Sequence, residues 1–444
     1  MSKARNVADE GFLERTFHLQ ERGTDVRTEI VAGITTFMTM AYIIFVNPSI
    51  CQETGMPFAA VMYATIASTV LATVLMAFLA NYPFALAPGM GLNAYFTYSV
   101  VLGMGMSWQA ALGAVFLSGV VFVILTFTKV REAIIDAVPA SLKSAIGAGI
   151  GLFIAFIGFK SAEFIVPDAA TYLTVGKLTN PVPIVAAIGL LVTSVLLARG
   201  VKGGILWGIL ISTAVGIPFG VTPLPEGIIQ WPRLSLWSPV LFKLDIRGAL
   251  SWGIRDIIFA FLFVDMFDTV GTLIGVSARG GFLDENGRLP RAERALLSDA
   301  IGTVAGAFFG TPTVTTYVES ASGVAAGGRT GLTALVTAAM FLLSLLFLPI
   351  VSIVPGAATA PALIVVGAMM MGSIVNVEWN DFSEAIPALI TAVGMPFTFS
   401  IATGIAFGFI SYSAIKLLSG KGKEASWLVH LLALLFVIRF IYLA

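Results

Sequence analysis

Charge is scarce in this chain. Only 11% of its 444 residues are Asp, Glu, Lys or Arg, against about a quarter in an ordinary soluble domain. The 25 basic and 25 acidic residues balance, so no excess of one sign points to nucleic acid or to a polybasic lipid-binding arm. Cys51 is the single cysteine, which excludes an internal disulfide and the cysteine clusters of zinc or iron–sulfur centres. His18 and His430 are the only histidines. Most metal sites would lack ligands, and no cofactor is expected. No H-E-x-x-H occurs, which removes an intramembrane metalloprotease. The opening stretch MSKARNVADEGFLERTFHLQERGTDVRTE has mixed charge and no apolar run, so it reads as a cytoplasmic lead-in, not a cleaved signal peptide.

What the chain has is apolar residue: 57% hydrophobic, with 33 Phe and 45 Gly, and a mean hydropathy of +0.94. Side chains this apolar cannot all be hidden inside a water-soluble globule, so their solvent is lipid. The expected class is an all-α polytopic membrane protein in a cell membrane.

A spanning helix needs roughly 20 apolar residues. Segments of this kind fall at 29–50, 58–80, 84–101, 107–128, 139–159, 182–198 and 203–220, then at 253–277, 295–310, 312–326, 332–350, 357–375, 386–397 and 401–418. A last apolar run, SWLVHLLALLFVIRFIYLA, is either a further span or an interfacial helix, with Arg439 able to snorkel from its end. With the N-terminus inside, the inner loops hold Lys129 and Arg131, Arg199 and Lys202, Arg279, Arg288, Arg291 and Arg294, Arg329, and Lys416, Lys421 and Lys423, as the positive-inside rule asks. The outer loop at 221–252 carries Trp231, Trp237 and Trp252, suited to an interface.

Seven spans per half is an odd number, so the halves should be inverted. AFLANYPFALAPGMG (77–91) resembles AFFGTPTVTTYVESA (307–321). Placing Pro83 on Pro312 sets Met90 against Glu319. The segments at 84–101, 312–326 and 386–397 are short, as broken helices inside a carrier are. PFALAP and PTVTTY read as strands before spans 3 and 10, and would pair only where protein shields them from lipid.

Carboxylates at membrane depth are the main chemical signal. Asp265, Asp268, Thr269 and Thr272 follow i, i+3, i+4, i+7 spacing on one helix face. Glu319 lies among Thr, Ser, Ala and Gly. Each buried charge costs about 2.5–3.5 kcal/mol even on a lenient scale, so these groups should face a polar cavity or bind protons. Pairing with Lys or Arg is the structural alternative, but the basic residues cluster in loops. Asn93 offers a donor and an acceptor, for a ligand or for holding helices together. Thr35, Thr39 and Tyr42 share a face, a weak signal because Thr commonly bonds its own helix carbonyls. Asp299 reads as a helix-start carboxylate favoured by the dipole. The Arg255–Asp256 pair reads as interfacial, and GAGIG (147–151) as close helix packing. An aspartyl protease would need facing aspartates, whereas Asp265 and Asp268 share a helix. The PAL tripeptides at 361–363 and 387–389 recur by chance. Nothing suggests a channel's ring of identical groups.

RTEIVAGITTFMTMAYIIFVNP, LANYPFALAPGMGLNAYFTY, VDMFDTVGTL and PTVTTYVESASGV closely resemble the adenine/guanine/hypoxanthine permease branch of the nucleobase:cation symporter family, over about residues 12 to 420. The resemblance implies about 14 spans as two inverted seven-helix repeats. It also implies a cytoplasmic segment at 1–28, a core domain at 29–130 and 250–350, a gate domain at 131–249 and 351–420, and an apolar tail at 421–444. It further implies proton-coupled import of a purine nucleobase, not catalysis, commonly by a homodimer whose cores move against their gates. The family's base-binding carboxylate falls on Asp265, its tenth-span carboxylate on Glu319 after a strand ending at Tyr317, its purine-branch asparagine on Asn93 and its ninth-span aspartate on Asp299. Uracil-type relatives carry Glu in place of Asp265; the shorter side chain would leave room for a bicyclic purine. Asp265, Glu319, Asn93, Tyr317 and Met90 are thus the candidate substrate residues, with Phe261 or Tyr95 as a stacking face. Glu319, Asp265, Asp268 and Asp299 are the candidate proton carriers. Glu319 is expected to be stabilised by the start of its own helix. The alternative is an anion carrier of the same fold, like the sulfate-permease relatives.

Overall fold

Lipid offers no hydrogen bonds, so backbone at membrane depth must satisfy itself, and helices do this locally. The computed structural model describes residues 11–127, 138–251, 254–285 and 288–442, and leaves out the side chains of residues 251, 254–256, 259, 267, 439 and 442. Lys129, Arg131 and Trp252 lie outside the described residues, as do the side chains of Arg255, Asp256 and Arg439. Among the described residues, nine helices are long and apolar enough to cross a membrane and three more are apolar but shorter.

A short α1 (Phe12–Phe17) precedes the first repeat. The first span is two helices, α2 (Val26–Met40) and α3 (Ile43–Gln52), broken at Ala41 and Tyr42. Next come α4 (Phe58–Leu75), ending in a π turn, and β1 (Leu86–Pro88). After β1 the chain enters α5 (Met90–Ala94), which continues as a π-helix over Tyr95–Gly103. α6 (Trp108–Thr126), α7 (Ala140–Ser161), a β2–β3 hairpin (Ile165–Asp168 with Tyr172–Val175), α8 (Pro181–Ala198) and α9 (Gly204–Gly216) complete the repeat. After a short α10 (Ile246–Ser251), the second repeat comprises α11 (Ile254–Gly280), α12 (Ala292–Phe309), β4 (Val314–Thr316), α13 (Ser320–Ala325) and α14 (Gly331–Ser344). A terminal turn, α15 (Leu348–Val351), leads to α16 (Gly356–Met371), α17 (Phe382–Thr398) and α18 (Ile401–Leu418). Spans 3 and 10 are the strand–helix units foreseen. The segment at 386–397 is not broken: α17 runs unbroken through Pro387 and Pro396.

β1 and β4 pair antiparallel, Leu86 with Thr316, Ala87 with Thr315 and Pro88 with Val314. Side chains serve backbone groups that the short ladder leaves over, and they do so twice. Thr73 Oγ1 donates to the Leu86 carbonyl (3.1 Å) and accepts from its N–H (3.0 Å). Thr303 clamps Val314 in the same way at 3.0 and 3.2 Å. Left-handed residues, Asn81 (φ 53°) and Gly310 (φ 97°), turn the chain two residues before Pro83 and Pro312. This duplicated construction is the inverted repeat made visible. The ladder centres on Ala87 and Thr315, so along the strands it is Gly91, not Met90, that corresponds to Glu319. Gly89 is required where the strands meet, since a Cβ there would lie 2.4 Å from Thr315 Cγ2.

The final helix, α19 (Trp427–Tyr442), is formed by the C-terminal apolar run. Ser413 meets His430, Phe409 meets Phe436 and Phe407 meets Phe440. One number falls as the other rises, so α19 climbs back along α18 as an antiparallel neighbour. Leu431, Leu434, Leu435, Ile438 and Ile441 stay exposed on its outer side, as lipid contact would have them. The connecting turn is fastened by buried Lys416, which pairs with Glu384 (2.9 Å) and Glu424 (2.8 Å).

Candidate functional site

The broken helices α5 and α13 leave the paired strands β1 and β4 in the interior of the bundle, and the candidate residues gather around that crossing. Glu319 is buried at the residue before α13. Its carboxylate makes no side-chain capping bond to that helix. Instead Tyr42 donates its hydroxyl to Glu319 Oε1 at 2.6 Å. The break between α2 and α3 sits at Tyr42, so a chain interruption in span 1 meets one in span 10. Thr39 and Ser322 join hydroxyls at 2.8 Å beside them. A Cβ on Gly323 would come within 2.0 Å of Thr36 Oγ1, so the small residues around Glu319 let α13 lie directly on α2.

Tyr317 donates to the carbonyl of Pro88 at 2.5 Å, tying the end of β4 to the end of β1. Its ring lies 6.5 Å from that of Tyr42. Asn93, fully buried, reaches the same carbonyl only weakly, with Nδ2 at 3.4 Å. Its Oδ1 has no hydrogen-bond partner. A buried amide oxygen without a donor carries a desolvation cost of about 1–3 kcal/mol, which a ligand N–H placed there would relieve. Met90 is the first residue of α5 and is buried.

α11 packs against β4 and α13 and supplies the aspartates. Asp265 is 2% exposed. Asp268 accepts from Thr315 Oγ1 at 3.4 Å and lies within electrostatic reach of Glu319 and Tyr42. Thr269, about 100° further round the helix, donates to Asp299 Oδ1 at 3.0 Å. Asp299 is therefore no helix-start carboxylate. Its helix begins at Ala292, with Glu293 in the first turn, and Asp299 sits two turns in and fully buried. The structure thus brings Glu319, Asp268, Tyr317 and Asn93 to the strand crossing and joins Asp299 to Thr269 of α11. Tyr95 and Phe261 pack edge-to-face at 5.0 Å.

Two groups escaped sequence reasoning. Tyr42 had only a weak helical-face signal. Glu29, fully buried at the start of span 1, accepts from the backbone N–H of Arg329 (2.8 Å) and Thr333 (3.1 Å) and from the hydroxyls of Thr330 (2.9 Å) and Thr333 (2.7 Å). It caps α14 from the other repeat.

Two inverted repeats whose broken helices meet at buried carboxylates are the construction of a membrane carrier. Comparison with known proteins agrees. Residues 27–407 match the model of the Permease family, and the chain belongs to that family, as a transporter and not an enzyme. It is 43% identical over 437 residues to the adenine permease AdeP of Escherichia coli, covering 98% of each chain. It is 44% identical over 428 residues to the guanine/hypoxanthine permease PbuO of Bacillus subtilis, covering 95% of this chain and 99% of that one. Among solved structures, the transmembrane domain of the cyanobacterium bicarbonate transporter BicA superposes with a TM-score of 0.60 at 13% identity, over 86% of this chain and 97% of that one. That likeness is one of fold.

Proposed function

We propose that this permease imports purine nucleobases, hypoxanthine, guanine and/or adenine, together with a proton, by moving a core (29–130 and 250–350) against a gate (131–249 and 351–420). The observation that carries the reading is the presence near the strand crossing of a buried carboxylate, Glu319, and a buried asparagine, Asn93, whose acceptor is unfilled. A purine is flat, uncharged and edged with N–H donors and ring acceptors. Asp265 and Glu319 would accept from its N–H groups, Asn93 would read an exocyclic oxygen or amine, and Met90 and Tyr317 would close over it. Names of relatives that are over 40% identical along nearly the whole chain support the substrate class. Buried carboxylates at the site oppose an anion as cargo. The basic loops support a cytoplasmic N-terminus, and homodimers are expected. The test is a competition panel in a host lacking purine uptake. Unlabelled purines should displace labelled hypoxanthine, whereas sulfate should not. Sulfate uptake without hypoxanthine uptake would overturn the reading.

A further inference from the structure

One stripe of α11 behaves differently along its length. Ile257, Phe261 and Val264, on the half before the aspartates, are buried. Asp268 follows on the same stripe, and beyond it Gly271 and Gly275 are exposed, with nothing within 4 Å of a built Cβ. This stripe is exposed toward the end where α11 finishes and buried toward the end where it begins.

The closure has an identifiable construction. Ser99, late in span 3, donates Oγ to the carbonyl of Phe399 at 2.8 Å. Phe399 forms the tight turn between α17 and α18 at φ 53°, a left-handed conformation that a bulky residue rarely adopts. The turn drives its ring between Phe153 and Phe156 of α7 and Tyr98 of span 3, with centroids at 5.6, 5.4 and 5.8 Å. Lys160, at the end of α7, then places its ammonium 5.0 Å from the Tyr98 ring centre and 5.6 Å from that of Phe399. Tyr98 in turn donates its hydroxyl to Glu53 Oε1 at 2.6 Å. A phenol bonded to a carboxylate gains electron density, which strengthens its hold on a cation above the ring. Glu53 and Tyr98 belong to the core, and Lys160 and Phe399 to the gate.

We propose that Lys160, seated on Tyr98 and Phe399, is the latch that holds the carrier shut on the side away from its N-terminus. The latch joins core to gate by a cation on two rings, which is strong enough to bias the closed state and weak enough to part in each cycle. The strained Phe399 turn keeps its ring in place for that contact. This rests on the reading that core moves against gate, but not on the identity of the cargo.

The experiment uses the full chain with Cys51→Ser, carrying Gly275→Cys on the open stretch of α11, in lipid nanodiscs without substrate. The rate of reaction with a hydrophilic maleimide reports how far that stretch is open. Lys160→Met, which keeps the stem and removes the cation, should slow labelling at least threefold, and so should Phe399→Leu. Lys160→Arg, still able to stack, should label at the parent rate. Parent rates in both Lys160→Met and Phe399→Leu would overturn the latch. Because labelling needs no substrate, failure of the purine assignment would leave this result standing.

Discussion

At the scale of single residues, the site pairs groups whose loss should separate binding from movement. Tyr42→Phe removes the one donor seen on Glu319 Oε1 and leaves the ring. A hydrogen bond to a charged group contributes about 1.5–3 kcal/mol, so hypoxanthine uptake should fall about tenfold while the amount of protein in the membrane stays constant. Asp265→Ala should abolish base binding in calorimetry, whereas Asp268→Ala, one turn deeper and held by Thr315, should slow transport more than it weakens affinity. Equal affinity of Asp265→Ala and the parent would reject the base-binding role of Asp265. The carboxylates were legible in the sequence because charge at membrane depth is costly and conspicuous. Their partners were not. Tyr42 lies 277 positions from Glu319, and no local periodicity links residues that meet only because two repeats interlock.

Among the elements, the strands of spans 3 and 10 were legible from β-favouring residues next to Pro and Gly, but their register was not. That register depends on the Thr73 and Thr303 clamps, which are contacts between a strand and the helix before it. The break in span 1 was also missed, because TTFMTMAYIIFVNP reads as one apolar run. Glu29 illustrates a further limit, since its role exists only once α14 of the second repeat starts beside it. Removing it strands several buried donors, a loss of about 3–5 kcal/mol by analogy with a broken buried pair. Glu29→Ala should therefore lower the melting temperature of the purified protein distinctly, and an unchanged temperature would contradict the capping role. For α19, the contacts along α18 predict that tags on the N- and C-termini are reached from opposite faces of the membrane. Tags accessible from the same face would place α19 on the surface instead.

For the whole molecule, the proposed core and gate would differ in their roles. In the proposed division, the core would carry the paired strands and the carboxylates, and the gate would supply the α7 and α17–α18 surfaces against which the far end closes. Carrying Asp265, Asp268 and Glu319 all ionised through a low-dielectric barrier with an uncharged base would be prohibitive, so at least one should be protonated as the core moves. Uptake should accelerate as the outside pH falls and collapse with a protonophore; uptake driven by sodium alone would remove proton coupling and leave the purine site intact. The central claim is that the strand crossing around Glu319 holds the purine. Its most direct test is initial uptake of labelled hypoxanthine into proteoliposomes by the parent and by Glu319→Gln, which keeps size but removes charge and the proton site. The account predicts purine-competed uptake by the parent and a loss of at least tenfold in the variant. Uptake by Glu319→Gln at the parent rate and with unchanged pH dependence would contradict it.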